Sequence, residues 1–482
     1  MKAQQPEKGK PAIPARRCKW HEMNRKQRRE IMRRLQSKDL SMEVIHPDAA
    51  GIDIGNESHY VAVPQQRGSQ PVRRFGCTTA ELRAMADWRK QCGIRTVAMQ
   101  STGVYWIAVF GILEEAGFEV YLVNARETKN LPGRKSDVQE SQWLMKLHTY
   151  GLLRNSFRPA QEIRTMRTYG RQRNDLVRSA CRHIQRIQKT LTQMNIQLAN
   201  VLSDLSGATG QAIIKAILGG ERDPHELAGF PDPRVKASEE EIAQSLEGQW
   251  QPDLLFVLKQ EQEGYEFCQR QIAQCDRQLE QYLLQREDRS HGAPLPEEKR
   301  KIRLKKKKNG NKPQFDLRAE LFRMTGTDLT RIDGVDVMTA TTIVSEAGYD
   351  MSRWQTENHF VSWLRLCPDN RISGDKIIGQ GRLPTNHRAT IALKMAASTL
   401  RTNQTYLGAQ FRRLRTKLGA PVAIKAMAAK LARLLYRMLR YGMNYVDQGV
   451  EFYEAQHRKL QINSLKWKAA QLRFQIIEAP AT

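Results

Sequence analysis

Apolar residues between positions 49 and 158 fall in short runs whose period changes along the chain. AAGIDIG reads as a strand, HYVAVP as a second strand close behind it and VRRFGCT as a third. TAELRAMADWRKQ has helical spacing, RTVAMQ is a buried strand, VYWIAVFGILEEA is a helix ended by Gly117, and FEVYLV is another strand. A loop with Pro132 and Gly133 precedes a helix from about Ser136 to Tyr150. Three strands followed by helix–strand–helix–strand is an α/β order.

The period then becomes seven. Val177, Ala180, Ile184, Ile187, Leu191, Met194, Leu198, Val201 and Leu205 alternate spacings of three and four, a seam over four heptads. A second seam runs through Leu254, Leu258, Glu261, Tyr265, Cys268, Ile272, Cys275, Leu279 and Tyr282, with Glu261 its one charged member. Two such helices around a Gly/Pro-rich connector predict an antiparallel coiled coil or a dimerisation arm, or else ordinary bundle helices. The pattern divides the chain into a basic, partly helical arm (1–48), an α/β domain (49–157), a helical section (158–290), a basic linker (291–315), a mostly helical domain (316–446) and a tail (447–482).

Length agrees with several domains, since 482 residues exceed what one core usually organises. No apolar run is long enough to span a bilayer, and the charged N-terminus has no apolar core of a secretory signal. Seven scattered cysteines without a CxxC pair indicate neither a zinc site nor a disulfide framework, so a reducing cytoplasm is expected. The formal net charge of +27 points to a polyanion. It is concentrated in residues 1–48, 299–312 and 376–446, the last with 14 basic and no acidic residues. Acid-free chain on a folded pattern suggests a surface facing phosphates. Arg164, Arg167, Arg171, Arg178, Arg182 and Arg186 at helical spacing could track a phosphate backbone or form a solvated flank. LTRIDGVDVMTATTIVSEAG has the rhythm of a helix-hairpin-helix, whose turn amides can face a phosphate.

Candidate chemistry centres on four positions. Asp53 interrupts an apolar strand, Gln100 ends the buried strand, and Asp137 and Glu140 share one helix face. A buried strand carboxylate calls for a partner or a metal ion, and these four could converge on Mg²⁺. Taken singly, Asp53 could be a turn residue and Asp137 a helix N-terminal residue favoured by the dipole. GIDIGNES also resembles the phosphate loop of actin-like ATPases, but the second Gly-rich phosphate loop of those folds is absent downstream.

GIDIGNESHYVAV, VAMQSTGVYW, FEVYLVNARETKNLPGRKSDVQESQWLMKLHTYGLLR and the later RISGDKIIGQGRL together resemble the DEDD transposases of bacterial insertion sequences, family one-hundred-ten, nearest its eleven-eleven subgroup. The resemblance is close over about 49–158 and looser over 325–400. It implies a RuvC-like, ribonuclease-H-type N-terminal domain and a C-terminal transposase domain that supplies a serine nucleophile; the long helical coiled-coil section between them and the mostly α-helical character of the C-terminal domain are read from the residue pattern. It implies guidance by a bridge or seek RNA, donor and target DNA as substrates, Mg²⁺ as cofactor, a dimer or tetramer with a composite active site, and a bacterial cytoplasmic, nucleoid-associated setting. The family's acidic set falls on Asp53, Gln100, Asp137 and Glu140 and its serine on Ser373. Gln stands where Glu is usual and Glu140 where Asp is usual, so the set carries one charge fewer. Arg134, Lys135, Lys376, Arg382 and Arg388 flank these residues as candidate nucleic-acid contacts. Two rival expectations are a RuvC-like nuclease that uses water and a nucleic-acid-binding homologue weakened by Gln100.

Overall fold

The computed structural model describes residues 43–101, 103–128, 136–230, 235–297, 312–374, 376–381, 387–443 and 448–475. Most of the basic arm and of the basic linker, with Arg134, Lys135 and Arg382, lies outside these residues. The chain forms two compact units, Met1–Arg158 and Pro159–Thr482.

The first unit holds five strands: β1 (Ala49–Ile54), β2 (Ser58–Ala62), β3 (Val72–Gly76), β4 (Thr96–Gln100) and β5 (Glu119–Val123). They form one mixed sheet in the order β3-β2-β1-β4-β5. β1, β4 and β5 are parallel, and β2 and β3 continue antiparallel from β1. Helices α1 (Thr79–Gln91) and α2 (Trp106–Glu115) cover one face. Alternation along the strands sends Ile52, Ile54, Val61, Val97, Met99, Val120 and Leu122 into a core with Leu82, Met85, Val109 and Leu113. Burying these side chains supplies most of the unit's driving force. A mixed sheet of this order is consistent with the RuvC-like expectation.

Helix α3 (Asp137–Thr149) lies on the opposite face, against β1. It passes so close to Gly51 that a Cβ there would stand 2.3 Å from the Ser141 carbonyl oxygen and the Met145 nitrogen. Only glycine permits this approach. At the helix's far end His148 shares a 2.7 Å hydrogen bond with Thr96, stacks on His46 and packs against Tyr121. Burial lowers the His148 pKa to about 3.

The second unit is mostly helical. Helices α4 (Gln161–Gln193) and α7 (Pro252–Leu284) pack antiparallel, joined through α5 (Ala208–Leu218) and α6 (Glu239–Leu246). Ala180, Tyr265, Cys268 and Ile272 fill part of their seam. Arg173 and Asp276, each about 2% exposed, meet at 2.5 Å inside it. Glu261, the charged seam member, accepts from His183 at 2.6 Å and Arg186 at 3.1 Å. The first heptad seam does not continue to Leu205 as one helix. α4 stops at Gln193, because Asn195 turns into the left-handed region (φ +59°) and Ile196 N–H closes back onto Leu191. Met194, Leu198 and Leu205 then bury among Ile213, Ile217, Leu227, Ile242 and Leu246, in a separate helical core.

Beyond the linker come α8 (Leu317–Thr325), a 3₁₀ turn at Leu329–Arg331, α9 (Val337–Ala347) and α10 (Glu357–Trp363). The hairpin rhythm thus begins with one 3₁₀ turn rather than an α-helix. A two-stranded hairpin, β6 (Asp369–Ser373) with β7 (Lys376–Gly381), is followed by α11 (Arg388–Thr399), α12 (Tyr406–Leu418) and α13 (Ala420–Tyr441). The region expected as a tail contains α14 (Gly449–Gln471), none of whose residues is buried. Among the described residues no helix is long and apolar enough to cross a membrane.

Candidate functional site

Strand register decides which polar side chains meet. Asp53 pairs with Tyr60 on β2, and Tyr60 with Arg74 on β3. β1 and β4 run parallel with Gly51 opposite Ala98, and the same register sets Asp53 beside Gln100, itself paired with Val123 on β5. Cross-strand partners share a face. Ile52, Met99 and Phe75 point to the α1/α2 side, so Arg74, Tyr60, Asp53 and Gln100 form a row on the α3 side. The row lies at the carboxyl ends of the two central parallel strands. In open α/β sheets this is where ligands bind.

Helix α3 runs antiparallel to β1 and β4: His148 is level with Thr96, and Ser141–Met145 are level with Gly51. From Gly51 to Asp53 is about 6.6 Å of strand. From Ser141 back to Asp137 is about 6 Å of helix. The first turn of α3 therefore comes level with Asp53 and Gln100. Asp137 is one turn before Ser141, and Glu140 one turn before Leu144. Ser141 and Leu144 are wholly buried against the sheet, so both carboxylates emerge over its face. Ser136 caps this turn by accepting from the Gln139 N–H at 3.3 Å. Asp137 is exposed, and Asp53, Gln100 and Glu140 are half-buried.

The chemistry of this set suits a hard divalent cation, with three carboxylates and one amide oxygen as donors. Placement suits it too, since all four residues reach one sheet edge. Among the described residues, however, no group of three or more His, Cys, Asp or Glu side chains stands close enough to hold a metal ion. The donors share an edge without closing into a cage.

Ser373 belongs to the second unit. It ends β6, is exposed, and pairs directly with Lys376 across the hairpin. The two-residue connection needs a left-handed first residue, and Gly374 supplies it with φ +52°. Directly opposed residues on an antiparallel pair have Cβ atoms about 5 Å apart, so the Lys376 ammonium accompanies the Ser373 hydroxyl on one face. Ile377 and Ile378 beside them are exposed.

Several cations expected on phosphates have partners within this unit. Arg171 makes a two-point contact with Glu346 of α9 at 2.9 and 2.8 Å, and Arg167 donates to the Ser345 and Glu346 carbonyls. These contacts hold Glu346 below the usual carboxylate range despite its burial. Arg186 is taken by Glu261, Arg178 stands 3.5 Å from Asp175, Arg182 donates to Ser179 and Arg164 to Gln161. Arg186 thus ties α4 to α7, and Arg167 and Arg171 tie it to α9, while Arg164, Arg178 and Arg182 pair within α4. Arg388 stands 3.5 Å from Asp175. Within the acid-free stretch, Arg437 grips Glu357, and Lys425 donates to the Cys367 carbonyl. Arg401, Arg413, Arg415 and Lys417 are exposed.

Tyr60 and Arg74 escaped the reading of the sequence. Alternation alone gives each a face, but only the pairing of β1 with β2 and of β2 with β3 shows that they stand in line with Asp53.

Two family models match the chain. DEDD_Tnp_IS110, described as a transposase, matches residues 50–196, and the transposase IS116/IS110/IS902 family matches residues 326–411. The first span contains Asp53, Gln100, Asp137 and Glu140, and the second contains Ser373 and Lys376. No curated protein matches the chain.

Proposed function

We propose that the chain, which matches transposase models of the IS110 family over residues 50–196 and 326–411, is an enzyme acting on DNA that recombines strands through a covalent serine–DNA intermediate. The observation that carries this reading is that Asp53, Gln100, Asp137 and Glu140 share the carboxyl edge of β1 and β4. A three-carboxylate edge suits phosphodiester chemistry. Asp53, Asp137 and Glu140, with the Gln100 carbonyl, are the residues that would hold Mg²⁺; when bound, the ion would neutralise charge building on a phosphate.

The chain's own residues do the rest. The Ser373 hydroxyl attacks phosphorus, a serine–phosphate bond forms, the phosphorus–oxygen bond of the DNA breaks, and the leaving DNA hydroxyl takes up a proton. Reversal by a hydroxyl on another strand rejoins DNA and frees the serine, so no nucleotide cofactor is consumed. Lys376, opposite Ser373, sits where it can hold a phosphate oxygen. Arg74, in line with Asp53 at the sheet's margin, can take a neighbouring phosphate. Guidance by a bridge or seek RNA, and assembly as a dimer or tetramer, belong to this proposal and rest on the resemblance of residues 49–158 and 325–400 to the family.

The test combines purified protein, the RNA that copurifies with it and both DNA partners. A protein–DNA adduct on a denaturing gel is expected, absent in Ser373→Ala and reduced in Asp53→Ala. Free DNA ends without an adduct would establish hydrolysis by water instead. Gln100 beside Asp53 favours a second reading, a binding protein with weakened chemistry, which predicts DNA binding with neither adduct nor cleavage.

A further inference from the structure

The turn after Gln100 is occupied by apolar side chains that neither the core nor the proposed chemistry uses. The Ser101 N–H donates to the Val123 carbonyl at 2.9 Å and pins the turn to the carboxyl edge of the sheet. Trp106 turns inward, packing on Phe110 and beneath the Arg158 guanidinium. Its neighbours turn outward: Val104 is 69% exposed, Tyr105 45% and Ile107 49%. Tyr105 is the N-cap residue just before α2, and its ring lies against Gly103, which offers no side chain in the way. Val138, in the first turn of α3 next to Asp137, is exposed at the same edge.

Apolar side chains gathered at an open edge mark a binding surface. We propose that Tyr105, flanked by Val104 and Ile107, is a stacking platform for one unpaired nucleobase of the DNA strand that lies across the acidic edge. This rests on the proposed function and adds to it a base-binding position. The surroundings select the occupant. An apolar protein surface seated here would strip water from the exposed Asp137 carboxylate beside Val138, at an electrostatic cost that it does not repay. A nucleic acid strand instead places an aromatic base on the ring and its phosphates toward Arg74 at the other end of the row. Stacking on an exposed tyrosine is tolerant of base identity, because every base presents a π face.

The full-length chain carrying Ser373→Ala, which stops at binding, is mixed with single-stranded DNA in which 2-aminopurine, then an abasic site, is moved along the strand. One position should show quenched fluorescence. Adding Tyr105→Ala should abolish the quenching and weaken binding about tenfold, with an unchanged salt slope, while Tyr105→Phe keeps both. An abasic site at that position should cost as much as Tyr105→Ala, and the two losses should not add. The proposal is overturned if no position is quenched, or if Tyr105→Ala costs the same on abasic as on intact DNA. A change in sedimentation with unchanged DNA binding would also overturn it, by assigning the patch to a second copy of the chain. None of these measurements needs a bond to break, so absence of the adduct in the wild-type protein would refute the proposed reaction and leave the stacking result standing.

Discussion

Replacing Gly51 with alanine tests the placement of the acidic edge without touching any of its side chains. The added Cβ would stand 2.3 Å from backbone atoms of Ser141 and Met145, whereas ordinary contact begins at 3.4 Å. Neither neighbour is a flexible side chain, so α3 must retreat by about 1 Å. Overpacking of this kind costs roughly 1–3 kcal/mol, and the reduced freedom of the unfolded chain returns about 0.4–1 kcal/mol. A net loss of about 1–2 kcal/mol follows. The effect on function is larger, because α3 carries Asp137 and Glu140, and a displacement of ~1 Å in positioning groups can lower a rate ~100-fold. Gly111→Ala is the control: it lies in α2 with nothing within 4 Å of the new methyl, and should be neutral or slightly stabilising. Urea unfolding followed by far-UV circular dichroism reads stability, and a plasmid recombination assay with the copurifying RNA reads activity. If Gly51→Ala unfolds like the wild type and recombines within twofold of it, α3 does not ride on β1 as described and the levelling of Asp137 with Asp53 fails with it.

His148 should make the first unit acid-sensitive. Its folded-state pKa of about 3 lies below the ordinary 6.5, so the unfolded chain binds the proton more readily. Its contribution is complete above pH 6.5 and is lost as pH falls toward 3. Between pH 7 and 5 the wild type should lose roughly 2 kcal/mol more than His148→Gln, and parallel urea midpoints for the two proteins would sink this account. Arg173→Met alone should cost roughly 3–5 kcal/mol by stranding Asp276, while Arg173→Met with Asp276→Leu should recover most of that loss; additive losses in thermal melts would show the pair is not coupled. Gln100→Glu should raise or preserve recombination and lower the Mg²⁺ concentration it needs, whereas loss of activity would give the amide a role that charge alone does not describe.

Much of the first unit was legible in the sequence because its strands are short apolar runs bounded by turns. Asp53 stood out as a carboxylate inside such a run, and the Asp137/Glu140 pair followed from helical spacing. The side of the sheet that α3 covers was not legible, because it depends on the missing side chain at Gly51 and on contacts between segments ninety residues apart. Tyr60 and Arg74 stayed hidden for the related reason that strand pairing is not local. The long heptad count ran past the end of α4 because side-chain periodicity does not register a backbone turn at Asn195. Two rungs of the arginine ladder have partners too distant in sequence to be read locally: Glu346 lies 175 residues beyond Arg171, and Glu261 lies 75 beyond Arg186. α14 was missed because its apolar residues do not gather on one buried face.

The buried contact between Arg173 and Asp276 also fixes a length. A seam of Ala, Ile, Leu and Cys would accept a slide of one heptad at modest cost. A slide would leave a guanidinium and a carboxylate buried out of each other's reach, so one alignment of α4 on α7 is far preferred. Each helix has 33 residues and spans about 50 Å. The pair therefore acts as a ruler with a locking pin, setting how far the helical core around Ile213 and Leu246 stands from α9, which Arg167 and Arg171 clasp at the other end.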